Sequence, residues 1–258
     1  MNNELKYLYS SGDSFSTLGT KKDYETDEVL GGESFKSYAD IISEKNNLML
    51  YDDAKGGGGN DMIMRKFMRY ISYNPDKIDE TLFIINWSYS DRLEYLHRET
   101  RKWRNYDKEI GMENVKSKLF NQEFLVNYFT DGFSFETKFR IPIFYLYHFL
   151  HGKGAKFLFS STPGWEWKKF KSPAEPDAYH TRFYPGDDIP YTWQDKQLRE
   201  YDVLSSIDKR YFIEGIQQYL KKEHHQSYID EHPNELGHKR ISELIISKLN
   251  DIYNLNLI

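Results

Sequence analysis

The chain has 258 residues, with 35 Lys plus Arg against 40 Asp plus Glu, a formal charge of -5 and no cysteine. This excludes disulfides and thiolate chemistry, and no stretch carries the basic charge density needed to follow a phosphate backbone, so nucleic acid is not an expected partner. No apolar run reaches membrane-spanning length and the amino terminus has neither a basic start nor a long apolar stretch, so the expected product is soluble and made without a signal peptide.

The length suits one α/β domain with a substantial core. Leu5, Tyr7, Leu8 and Tyr9 read as a first short strand that runs into Ser10-Ser11-Gly12-Asp13-Ser14. Gly12 permits a sharp backbone path and Asp13 favours a turn, so Ser14 is delivered to the carboxyl end of that strand, where open α/β sheets keep their sites. Ser14 is the candidate nucleophile. A serine hydroxyl needs a base within hydrogen-bond reach and donors aimed at the oxyanion it creates. The plain alternative is a strand-to-loop turn carrying a solvated serine.

Residues 21–32 read as a polar loop, and Ser34 begins a helix through Tyr38, Ile41 and Ile42 to Asn46. Leu48 to Tyr51 is a short buried strand. It leads into four consecutive glycines, Gly56 to Gly59, followed by Asn60-Asp61 and a helix marked by Met62, Ile63, Phe67, Met68 and Ile71. Strand, glycine loop, helix is an order in which backbone N–H groups face an anion. The loop lacks the Lys-Ser/Thr ending of a phosphate-binding loop and the spacing of a dinucleotide fingerprint. A flexible linker is the structural alternative, but an oxyanion-binding loop fits its place between strand and helix better.

Thr81 to Trp87 is the clearest buried strand and ends in the polar cluster Ser88 to Arg92, which makes Trp87 and Arg92 candidates for substrate contact. Residues 98–139 read as helices covering the sheet. Ile141 to Leu150 is an apolar helical run closed by His151-Gly152, and Lys156 to Ser161 is a fourth strand, so the alternation predicts a parallel sheet. Residues 162–202 contain Pro163, Pro173, Pro176, Pro185 and Pro190 with three tryptophans. They read as an aromatic insertion or lid on the single domain, with Trp165 a further candidate for substrate contact. Tyr211 to Lys222 reads as a helix.

Near the carboxyl end, Asp230, His232, Pro233, Asn234, Gly237 and His238 precede an amphipathic helix through Ile241, Leu244, Ile245 and Leu249. His232 suits a general base for Ser14, and Asp230 a carboxylate that fixes its tautomer. Pro233 at the first helical position makes His232 a loop residue. Asp230, His232 and His238 also admit a metal reading, but no second ligand pair at metal spacing accompanies them. His238 fits better as a packing or capping residue on the helix.

Gly12-Asp13-Ser14 and the stretch from Asp230 through His232, Pro233, Asn234, Gly237 and His238 resemble the first and last sequence blocks of SGNH (GDSL-type) hydrolases. The resemblance implies a flavodoxin-like three-layer α/β/α sandwich with a parallel sheet and a Ser14-His232-Asp230 triad, with no metal or cofactor. It implies an oxyanion hole from the Ser14 N–H, a glycine N–H at Gly58 or Gly59, and an asparagine side chain, either Asn60 or Asn86. The third block departs from the family's Gly-x-Asn-Asp, reading Asn86-Trp87-Ser88, and the last is one residue shorter than Asp-x-x-His. The Asp-x-His-Pro-Asn form resembles that of virus- and phage-encoded members.

Two functions follow. The first is a serine esterase or deacetylase acting through an acyl-enzyme on an acylated carbohydrate or other small acyl ester, which the 21 Tyr, 17 Phe and 5 Trp would suit as contact surface. The second is a structural or carbohydrate-binding protein that keeps the fold without the activity, as in a virion.

Overall fold

Five parallel strands form the centre of the structure, a computed structural model that describes residues 4–17, 34–88, 92–96, 103–107, 132–162, 206–213, 215–227 and 232–258. They are β1 (Tyr7–Ser11), β2 (Met49–Asp52), β3 (Thr81–Trp87), β6 (Lys156–Ser161) and β7 (Phe212–Ile213), in the order β2-β1-β3-β6-β7. Counting only these strands, the order is the 2-1-3-4-5 arrangement of flavodoxin-like sheets. The strand order reverses between β1 and β3, the switch point at whose carboxyl ends sheets of this kind place their ligands.

Side chains alternate across each strand, so the two faces bury different residues. Tyr9, Phe83, Ile85, Trp87, Phe157 and Phe159 face helices α2 (Asn60–Tyr73) and α3 (Gly132–Gly152), where Ile63, Phe67, Leu146 and Leu150 meet them. Leu8, Leu82, Ile84, Leu158 and Ile213 face α1 (Tyr38–Lys45) and α4 (Glu235–Tyr253) through Ile42, Ile241, Ile245 and Leu249. The result is three layers, α/β/α. Both faces of the sheet are covered, which is why β3 is buried throughout and reads as a continuous apolar run.

Local chemistry sets the helix starts. Ser37 and Asp40 form a capping box on α1, each side chain taking the other's backbone N–H. Such a cap is worth about 1 kcal/mol. Gly59 precedes α2 without a side-chain cap, and Asn234 caps α4 by accepting the Gly237 N–H. Asn234, not Pro233, therefore sets the start of α4. Pro233 lies outside the helix in an antiparallel bridge with His225.

Three stretches differ from the periodicity reading. The strand expected to be buried at Leu48 to Tyr51 is β2 at the sheet's edge, with Met49 59% exposed. Within 98–139, Trp103–Asp107 forms β5, paired antiparallel with β4 (Arg92–Leu96), and the remainder up to Gly132 lies outside the described residues. Tyr211 to Lys222 is not a helix. Phe212 and Ile213 pair with Phe159 and Ser160 as the fifth strand, and Gly215, in the left-handed region at φ 60°, turns the chain into a 3-10 turn at Ile216–Tyr219. Pairing there satisfies backbone groups along the otherwise open edge of β6 and buries Phe212 and Ile213. Among the described residues no helix is long and apolar enough to cross a membrane. The loop 21–32 and the insertion beyond Thr162, as far as residue 205, fall outside the described residues.

Candidate active site

β1 ends at Ser11, and the chain turns through Gly12 and Asp13 into a single 3-10 turn, Ser14–Ser16. Gly12 is required by packing: a β-carbon there would lie 2.2 Å from Ser16 Oγ and 3.0 Å from Asn86 Cβ. The turn is held on several sides. Asp13 Oδ1 accepts the Phe15 N–H at 3.0 Å, Tyr38 donates its hydroxyl to Ser16 Oγ at 2.9 Å, and Lys55 donates its N–H to the Gly12 carbonyl at 3.0 Å.

His232 reaches this turn from the far end of the chain. Its Nε2 lies 2.7 Å from Ser14 Oγ, across a sequence separation of 218 residues. Its ring packs on Phe15, with centroids 5.1 Å apart. The loop that carries it is clamped by the segment before it: Gln226 donates its N–H to the His232 carbonyl at 2.8 Å, and Asn234 Nδ2 donates to the Glu223 and His225 carbonyls at 2.8 and 2.9 Å. Gly237 completes the clamp, because a β-carbon there would stand 2.4 Å from the His224 carbonyl oxygen. Asp230 lies outside the described residues.

The glycine loop borders the nucleophile. A β-carbon at Gly56 would lie 3.9 Å from Ser14 Cβ, and Gly57 takes a positive φ of 68°. The Gly58 N–H donates to the Lys55 carbonyl at 3.0 Å, closing a turn inside the loop, so it is committed there and does not face an oxyanion. Gly59 sits at the start of α2 and is buried.

The two asparagines separate by their hydrogen bonds. Asn60 is not an N-cap but the first residue of α2, where it holds Ser88, accepting its N–H at 2.8 Å and donating to its carbonyl at 3.1 Å. One amide hydrogen of Asn60 remains uncommitted by these bonds. Asn86 is different. Its Nδ2 donates to Thr162 Oγ1 at 2.9 Å and to Asp13 Oδ1 at 3.3 Å, and its Oδ1 accepts the Ser160 hydroxyl at 3.0 Å. Both hydrogens of its amide are used, so Asn86 is a brace and not an oxyanion donor.

Trp87 is fully buried, packed edge-on against Phe159 at 5.7 Å, with its indole N–H unpartnered among the described residues. A ring with no exposed surface offers none to a substrate. Trp87 is core. The side chain of Arg92 and all of Trp165 lie outside the described residues. Sequence pattern alone does not single out Thr162, Ser160 and Tyr38 as site residues. The available signal was the run of polar residues at the carboxyl end of β6, in register with Asn86 and Trp87 of β3.

His238 lies one turn inside α4, buried, with Nδ1 accepting the Tyr38 N–H at 3.2 Å. It is the acceptor for a first-turn N–H of α1 and packs between Phe35 and Tyr38. Burial lowers its pKa to about 4, aided by the nearby His232 and opposed by Asp40. The folded state thus holds His238 neutral where the unfolded chain protonates it. Its contribution to stability is full above pH 6.5, the unfolded value, and is lost as the pH falls towards 4, by up to about 3 kcal/mol. Urea melts between pH 7 and pH 4.5 should show this loss in the wild type and a flatter profile in His238→Asn. Equal slopes in the two would show that another group governs the acid transition.

No protein-family model matches the sequence, and no curated protein matches it. Among solved structures the chain is similar to a catalytic mutant of Axe2, an acetylxylan esterase from Geobacillus stearothermophilus, at 13% identity and a TM-score of 0.43, over 96% of each chain. It is similar to LAE5, an alpha/beta hydrolase enzyme from the metagenome of Lake Arreo, Spain, at 13% identity and a TM-score of 0.45, over 97% of this chain and 98% of that one. A family two carbohydrate esterase from Clostridium thermocellum, as an active-site mutant, is similar at 14% identity and a TM-score of 0.45, over 98% of this chain and 65% of that one. These likenesses are remote, and the chemistry of the site rests on its own geometry.

Proposed function

We propose that the chain is a serine esterase of the SGNH (GDSL) type, acting on small acyl esters and best suited to an acylated carbohydrate. One observation carries this reading: the 2.7 Å contact between His232 Nε2 and Ser14 Oγ at the carboxyl end of β1. A nucleophile and base within hydrogen-bond reach is the pairing that acyl transfer needs.

In the proposed reaction Ser14 Oγ attacks the acyl carbon while its proton passes to His232 Nε2. The tetrahedral oxyanion then collapses, His232 gives the proton to the departing alkoxide, and the acyl group remains on Ser14. Water repeats the sequence and releases the acid. Asp230 is proposed to orient His232 through the other ring nitrogen. The oxyanion is proposed to lie between the Ser14 N–H at the start of its 3-10 turn, the outer end of the glycine loop near Gly56, and the remaining amide hydrogen of Asn60. The preference for a carbohydrate ester rests on the aromatic content of residues 162–202, with Trp165 and Arg92 as proposed contacts.

Hydrolysis of an aryl acetate by the purified protein tests the reading, together with labelling of Ser14 by a fluorophosphonate. No turnover and no labelling would favour the second reading, a fold retained for carbohydrate binding or for a place in a virion. That reading draws support from Asn86, whose amide is occupied at the third-block position. For the oxyanion, Asn60→Ala is expected to lower kcat by about a hundredfold or more with little change in KM. A kcat within threefold of wild type would remove Asn60 from the hole.

A further inference from the structure

Beneath the nucleophile runs a chain of hydrogen bonds in which every donor points the same way. The Ser160 hydroxyl donates to Asn86 Oδ1 at 3.0 Å, and Asn86 Nδ2 donates to Thr162 Oγ1 at 2.9 Å. Thr162 Oγ1 then donates to the Asp13 carboxylate, 3.1 Å from Oδ1 and 3.0 Å from Oδ2, shorter contacts than the direct bond from Asn86 Nδ2 to Oδ1 at 3.3 Å. Asp13 and Ser14 are adjacent in the chain. Asp13, Asn86 and Thr162 are all 0% exposed, and Ser160 is 1% exposed.

The direction follows from the groups themselves. The bonds run from Thr162 to Asp13: a threonine hydroxyl has one proton to give, and that proton is shared between the two carboxyl oxygens. The Thr162 oxygen is then left to accept from Asn86, whose own carbonyl accepts from Ser160. Aligned donors of this kind polarise one another, and at low local dielectric the chain is stronger and stiffer than its separate bonds. It crosses three strands: Asp13 follows β1, Asn86 lies on β3, and Ser160 lies on β6, with Thr162 just beyond. Thr162 is further fixed by donating its N–H to the Trp87 carbonyl at 2.9 Å.

We propose that Thr162 is a positioning residue for Ser14, its hydroxyl linking β3 and β6 to Asp13 and so holding Ser14 Oγ in reach of His232. The proposal rests on the esterase reading for its kinetic consequence but not for its structural one. The Thr162 hydroxyl is fully buried and engaged by Asn86 and Asp13, so its proposed effect is exerted through the turn. It sets the angle of the turn that presents Ser14. A contact of 2.7 Å between nucleophile and base tolerates little displacement, and a misplacement of about 1 Å can cost a hundredfold in rate.

The test is Thr162→Val, which keeps the shape and deletes the hydroxyl, with Thr162→Ser as the variant that restores it. The expected result is a fall in kcat on an aryl acetate of about tenfold or more with KM unchanged, recovered within about threefold by serine. The His232 imidazole resonances, read by NMR, should move in Thr162→Val and return in Thr162→Ser. Ser160→Ala, one bond further from the nucleophile, should give a smaller change in the same direction, and it serves if Thr162→Val does not fold. If the wild type hydrolyses no ester, the esterase reading fails while the His232 resonances still decide the positioning role. Unchanged His232 resonances in folded Thr162→Val, or wild-type kcat in that variant, would overturn the proposal.

Discussion

Ser14→Ala is expected to abolish ester hydrolysis while leaving the fold intact. The side chain is half-buried, and its hydroxyl contacts the His232 ring, whereas the turn around it is held by Asp13, Ser16 and Lys55. Removing one oxygen therefore deletes the nucleophile without loosening the backbone that presents it. Loss of a nucleophile that acts as a unit with its base costs on the order of a millionfold in kcat. Melting should shift by no more than a few degrees, as is usual when no buried group is left unpaired. Retained turnover in Ser14→Ala, measured on protein free of contaminating esterase, would move the nucleophile elsewhere. The same variant should lose fluorophosphonate labelling altogether.

The second large effect belongs to His232→Ala. Its loss should approach that of Ser14→Ala, because an alkoxide leaving group and a serine proton both need the imidazole, and the two variants combined should be no worse than either alone. Imidazole added to the medium should restore part of the activity of His232→Ala and none of that of Ser14→Ala, since only the former leaves a ring-sized gap beside an intact hydroxyl. Asp230→Asn should retain more activity than His232→Ala, as an orienting carboxylate is less essential than the base it orients. Additive losses in the double variant would mean that Ser14 and His232 do not work as one unit.

Both residues were legible in the sequence for the same reason. Each stands where a change of local structure is written in short-range terms: Gly12-Asp13 ends a strand, and Asn234 with Gly237 begins a helix. The core strands were legible too, because burial on both faces leaves β3 and β6 as runs of apolar residues. Phe212–Ile213 was not, since a strand of two residues has no period to detect and exists by pairing with β6.

Local pattern by itself thus determined the alternation of strand and helix, the parallel sheet, the serine turn and the histidine loop. Tertiary structure decided how the polar residues at the strand ends divide their work. Asn60 and Asn86 are the same side chain, and nothing in their sequence neighbours tells which of the two has both amide hydrogens engaged. The distinction arises because β3 and β6 lie side by side in register, which brings Ser160 and Thr162 to Asn86 and uses both of its amide hydrogens. Likewise Trp87 ends a strand beside the site yet faces α2 and α3, because side-chain alternation along β3 assigns it to the core with Phe83 and Ile85. Which hydrogen bonds a buried polar group makes depends on partners distant in sequence, and those are set only when the sheet is assembled.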